Sequence, residues 1–133
     1  MAKLRIGLIG AGYMGKAHTI ALKAVQTIFE TALTPVCEML ATSSAEGAAN
    51  HAARWGWRRA TGDWRALVAD PEVDAVIVAT PPRTHLAMVT AALALGKPVL
   101  CEKPLGCDPA ESLAMCEAAE AAGVANMVGF NYI

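Results

Sequence analysis

Residues 4–18 read LRIGLIGAGYMGKAH. A short apolar run, Leu4 to Ile9, enters a cluster of glycines and leaves into a segment with Leu22, Val25 and Ile28 on one helical face. Gly10-x-Gly12-x-x-Gly15 is weak as a bare spacing, but strand, glycine turn and helix are the context that makes it a dinucleotide fingerprint. Gly10 permits the tight turn, Gly12 lets the backbone approach a pyrophosphate, and Gly15 lets the helix pack close to the strand. The amides of Tyr13 and Met14 are then expected to face the phosphates at the helix N-terminus. Glycines that only make a turn are the competing reading.

Outward from this stretch, short β-branched runs alternate with longer Ala-rich segments. Strands are expected at Leu4–Ile9, at Leu33–Glu38 (with Pro35 against a central place for its first half), and briefly at Trp57–Thr61. Asp74–Thr80 (DAVIVAT) is the clearest buried strand, Pro98–Cys101 a short one, and Val124–Phe130 the sixth. Between them lie helices at Met14–Ile28, from a cap at Thr42, Ser43 or Ser44 to about Trp55, from the Asp63 cap to Ala69, at Thr84–Leu95 before Gly96, and from Asp108 to Ala122. Asp108-Pro109-Ala110-Glu111 is a helix start: an Asp cap, Pro first, Glu third. Strands joined by helical crossovers must pair in parallel. The fold class is α/β, a Rossmann-type doubly wound, six-stranded, mostly parallel sheet with helices on both faces.

The fingerprint also calls for an acid about 20 residues beyond, at the end of the second strand. Glu38 stands 23 residues after Gly15, and no Arg or Lys follows in Met39-Leu40-Ala41. A carboxylate accepts from both ribose hydroxyls of NAD and repels the 2′-phosphate of NADP, so NAD is expected over NADP. A solvated loop acid is the alternative for Glu38.

Composition narrows the rest. The 133 residues are 55% apolar and 17% charged, which excludes disorder and implies surface that a further domain or a second copy covers. A net charge of -1 without a basic block, and few aromatics, argue against nucleic acid. Cys37, Cys101, Cys107 and Cys116 form no metal-ligand spacing and read as reduced thiols. No apolar run suits a signal peptide core or a membrane span, so a cytoplasmic protein is expected.

Three stretches together carry a resemblance: the glycine loop, Ala79-Thr80-Pro81-Pro82-Arg83-Thr84-His85, and Gly96-Lys97-Pro98-Val99-Leu100-Cys101-Glu102-Lys103-Pro104. They resemble the glucose-fructose oxidoreductase/inositol dehydrogenase (Gfo/Idh/MocA) family over essentially the whole chain, with Glu102-Lys103-Pro104 the most specific piece. The resemblance implies an N-terminal dinucleotide-binding domain at residues 1–133, the family's larger substrate domain being absent from this chain. It implies that Lys103 contacts substrate and that Glu102 lies near the nicotinamide ribose. Thr80 and Pro81 are expected along the cofactor, with His85 near it but not the general base. Asn131 is expected to face the nicotinamide. Many members carry Asn at the position of Pro82 and Arg at that of Ile133, and this chain lacks those side chains. His18 and His51 receive no role.

Read from the residues alone, Glu102-Lys103-Pro104 follows a short buried strand at a carboxyl end of the sheet, where ligands collect. A lysine there can donate to a substrate hydroxyl and lower its proton affinity as hydride leaves the carbon. The function expected is the NAD(P)-binding part of an oxidoreductase passing hydride between a nicotinamide and a sugar- or cyclitol-like polyol. The family's base, a His with a nearby Asp in the second domain, has no counterpart here, so the chain alone is expected to be incompetent. The alternatives are a non-catalytic NAD-binding sensor or assembly module and an unrelated Rossmann enzyme such as a methyltransferase.

Overall fold

The computed structural model describes residues 2–131. Ile133, named above for the arginine it replaces, lies outside the described residues. Strands β1 (Ala2–Ile9), β2 (Leu33–Ala41), β3 (Arg59–Thr61), β4 (Ala75–Val78), β5 (Val99–Glu102) and β6 (Asn126–Gly129) form one sheet in the order β3-β2-β1-β4-β5-β6. Every neighbouring pair is parallel. Order therefore reverses between β1 and β4, and the crevice at their carboxyl ends is where an open α/β sheet receives ligands.

Helices α1 (Tyr13–Ile28), α2 (Ala45–Trp55), α3 (Trp64–Ala69), α4 (His85–Ala94) and α5 (Pro109–Ala122) make the crossovers. The period-two alternation of the strands sends side chains to opposite faces. Ile6, Leu8, Leu40 and Ile77 pack with Ala52 and Trp57 on one face, toward α1 and α2. Val76, Val78, Met39 and Ala41 pack with Leu67, Met88, Leu93 and Met115 on the other, toward α3, α4 and α5. Leu8 and Leu40 are completely buried, each such side chain contributing about 1.5–3 kcal/mol. Tyr13, Ile28, Phe29, Met127 and Phe130 remain exposed, which is the apolar surplus that composition implies.

Local chemistry explains the helix ends. The side chains of Ser44, Asp63 and Asp108 accept from Gly47, Arg65 and Glu111 amides and cap α2, α3 and α5. Gly56 and Gly123 close α2 and α5 with left-handed φ of 78° and 65°. Pro81-Pro82 delays α4, because Pro82–Thr84 forms a 3₁₀ turn first.

The main departure from expectation is β2. It does not stop at Glu38 but continues to Ala41. Ile6 pairs with Cys37 and Gly7 with Met39, so Glu38 is an extra, bulged residue inside the strand. Pro35 is tolerated because β3 reaches only Met39–Ala41, leaving the first half of β2 an edge beyond β1.

Candidate functional site

A cleft of about 630 Å³ opens at the carboxyl ends of β1, β2 and β4. Its walls are the glycine turn (Gly10, Ala11, Gly12), the end of β2 (Ala41–Ser44) and the end of β4 (Ala79–Thr84), with Trp64, Met88, Gly47 and His51 between. An apolar hollow of about 50 Å³ between α4, α5 and β6 offers only Asn126 as a polar amide and cannot orient a nucleotide.

The three glycines of the turn separate by cause. Gly10 has a φ of 109°, which a side chain rarely adopts, and a Cβ there would strike the Ala79 carbonyl. A Cβ on Gly15 would strike the Gly10 carbonyl, so its absence lets α1 approach β1. Gly12 is different. Its φ of -81° suits any residue, and an added Cβ would meet no protein atom within 4 Å. Folding does not demand glycine there, whereas a pyrophosphate lying against the backbone does. Gly12 is also the N-cap of α1 without a side-chain cap bond, and no acid stands in the first turn. The amides of Tyr13 and Met14 thus start a helix whose N-terminal donors no side chain claims.

Other expected residues fall into two groups. Thr80 and Pro81 line the cleft. Glu102, the last residue of β5, lies off it, as do Lys103 and Asn131 past the ends of β5 and β6. Lys103 and Asn131 are exposed, and no hydrogen bond or ion pair to Lys103 is present among the described residues. Glu102 is buried at 5% exposure, its Oε1 2.7 Å from His18 Nε2 on α1, and Gly129 leaves it room. Beneath it, burial and the Glu102 carboxylate push the Cys101 thiol up to about 12, which makes it a packing group and not a nucleophile. The Lys103–Pro104 peptide is cis.

His85, expected near the cofactor, stands behind the cleft wall and bonds the carbonyl of Thr80, which lines it. It is fully buried and absent from the cleft wall. Its Nε2 lies 2.7 Å from the Thr80 carbonyl, and its Nδ1 lies 3.0 and 2.9 Å from those of Pro104 and Leu105. The ring ties the end of β4 to the Glu102-Lys103-Pro104 corner.

Glu38 stands apart from the cleft. Its side chain is buried between Arg58 (3.5 Å) and Arg59 (3.2 Å), and it does not line the cleft. Arg59 also forks onto Asp70 at 2.7 and 3.0 Å, which holds Asp70 below the usual carboxylate range. Glu38 precedes Thr42 by four residues, so it sits about 13 Å back along the strand. Two residues that the sequence leaves without a role do reach the region: His18, through Glu102, and His51, in the cleft wall. No cluster of His, Cys, Asp or Glu able to hold a metal occurs among the described residues.

Residues 4–130 match the model of a family described as an oxidoreductase family with an NAD-binding Rossmann fold. The chain belongs to this oxidoreductase family. A levoglucosan dehydrogenase of Pseudarthrobacter phenanthrenivorans is 41% identical over 99% of the chain and 34% of its own length. An inositol 2-dehydrogenase of Acidothermus cellulolyticus is 40% identical over 90% of the chain and 33% of its own length. A solved levoglucosan dehydrogenase in complex with NADH and levoglucosan superposes with a TM-score of 0.95 at 40% identity, covering 98% of this chain and 35% of that one. The chain thus spans about a third of the relatives it matches. Family membership makes the chain an NAD-binding domain, and the residues of the cleft fit that cofactor: an unobstructed Gly12, unclaimed α1 amides, and a wall long enough to run from β2 to β4. Among the described residues no helix is long and apolar enough to cross a membrane.

Proposed function

We propose that this chain is the cofactor-holding part of a dehydrogenase acting on a hydroxyl-bearing carbon of a sugar- or cyclitol-like polyol. Gly12 carries the reading: it is the one glycine of the turn that the protein itself does not require. The pyrophosphate would lie on Gly12 and the Tyr13 and Met14 amides, and the adenosine toward the end of β2. The nicotinamide would extend past Thr80 and Pro81 toward Asn131 and Glu102, where, when bound, it supplies the hydride-accepting carbon. Lys103 stands exposed at that end, ready to donate to a substrate oxygen and steady the charge that develops on it. His18 and His85 hold the corner from which it projects.

Levoglucosan and inositol, named for the two relatives, are both cyclic polyols, which supports the substrate class. The general base is not assigned to any residue of this chain. A non-catalytic NAD-binding module is disfavoured by the corner's construction, because a sensor has no use for a braced, exposed lysine. Gly12→Val tests the reading. NADH affinity, followed by nicotinamide fluorescence, is expected to fall at least 100-fold with the melting temperature nearly unchanged. Retained affinity would return the glycine loop to a mere turn.

A further inference from the structure

The cleft and the lysine corner share no lining residue, yet one side chain touches the backbone of both. His85 Nε2 lies 2.7 Å from the carbonyl of Thr80, a residue of the cleft wall. Its Nδ1 lies 3.0 and 2.9 Å from the carbonyls of Pro104 and Leu105, the two residues after Lys103. Among the described residues no other hydrogen bond reaches these three carbonyls. A neutral imidazole carries one N–H and an imidazolium two, so this one ring supplies every protein donor that either side has. The ring is completely buried and meets the carbonyls directly.

Both ends of this linkage are stiff. On the wall side, the Thr84 hydroxyl sits 2.6 Å from that of Thr80 and 2.7 Å from the Pro81 carbonyl. The Thr80 hydroxyl lies 3.4 Å from Met88 Sδ, and Met88, three residues beyond His85 on α4, lines the cleft as well. On the corner side, His18 holds Glu102 at 2.7 Å, and Gly129 leaves no room for that carboxylate to move toward β6. Lys103, exposed and without a hydrogen bond or ion pair among the described residues, therefore stands between two histidine ties.

We propose that His85 is a positioning residue that relays occupancy of the cleft to Lys103. A cofactor bearing on Thr80 and Pro81 moves the Thr80 carbonyl, the ring follows, and the Pro104 and Leu105 carbonyls follow the ring. The proposal rests on the cofactor reading above and deepens it. Coupling of this kind needs a contiguous path of packed and hydrogen-bonded groups, and a close-packed interior passes small displacements on. Here the path is one rigid ring with three contacts. In the proposed reaction the relay sets Lys103 for a substrate oxygen only beside a seated nicotinamide, where a misplacement of about 1 Å is costly.

Amide NMR titration of the wild-type chain and of His85→Gln with NADH tests this. In the wild type, shifts are expected at Gly12–Met14 and, at the same occupancy, at Lys103, Leu105 and Gly106. In His85→Gln the corner shifts are expected to shrink roughly threefold or more, while those at Gly12–Met14 and the NADH affinity stay nearly as they were. A residue that only supports the fold would weaken both sets together, and that result overturns the relay. Corner shifts of unchanged size in the variant come from direct contact with the cofactor and also overturn it. A silent corner in the wild type overturns the relay and leaves the cofactor reading intact, whereas no binding at all overturns both. Should the variant not fold, the wild-type ring decides. A relay moves the His85 ring-nitrogen signals together with the corner amides, and corner shifts beside an unmoved ring overturn it.

Discussion

Two regions on the same edge of the sheet are built in opposite ways. The turn after β1 offers backbone: an open Gly12, unclaimed amides and no side chain reaching into the cleft from the glycines. The corner after β5 offers side chains, each fixed by a distant part of the chain: Glu102 by His18, and the loop carbonyls by His85. A backbone site reads the part shared by all dinucleotides and is indifferent to most substitutions that keep the turn. A side-chain site of the kind proposed would aim one group, Lys103, and depend on every brace beneath it. Under the proposed function, the difference would separate holding a cofactor from doing chemistry beside it.

Breaking the corner should cost turnover before it costs binding. In the full-length enzyme, Lys103→Ala is expected to lower kcat by about 10²- to 10⁴-fold with NADH affinity within a few fold. Equal losses in both would make Lys103 a binding group, and no loss would end its assignment. Loosening the brace comes next. His85→Gln strands at least one buried carbonyl and should destabilise the protein by about 1–3 kcal/mol, with faster amide exchange at Lys103, Leu105 and Gly106 than at residues 10–15. Uniform exchange would show that His85 is ordinary core.

The smallest expected effect sharpens the comparison from outside both regions. Arg5 forks onto Asp74 at 2.9 and 3.0 Å and holds its carboxyl below the usual carboxylate range. A depressed folded-state pKa contributes stability above the unfolded value of 3.8 and loses it as pH falls toward the folded one. Asp74→Asn should therefore flatten the fall in melting temperature below about pH 4 and change little at pH 7 beyond the modest worth of a half-exposed pair. Cofactor affinity should not move, since Asp74 lies before β4 and the cleft after it.

Most of the fold was legible because its signals are local. The caps at Asp63 and Asp108, the αL glycines and the continuous apolar run of DAVIVAT each lie within a few residues of what they specify. The same holds for the glycine turn, where the sequence predicted the roles of Gly10 and Gly15 that the structure displays. What was illegible depends on partners far along the chain. Glu38 ends an apolar run and reads as a strand terminus, yet Arg58 and Arg59, some 20 residues on, draw it into the sheet. His18 meets Glu102 across 84 positions, and His85 meets Leu105 across 20, with nothing local to announce either pair. Nor can spacing alone see the bulge that places Glu38 inside the strand.

The most direct test of the central claim is an amide NMR titration with NADH. The account predicts the largest shifts at Gly12, Tyr13 and Met14, with smaller ones at Thr42–Ser44 and Thr80. Shifts that spare Gly12–Met14, and gather instead at another face, would contradict it.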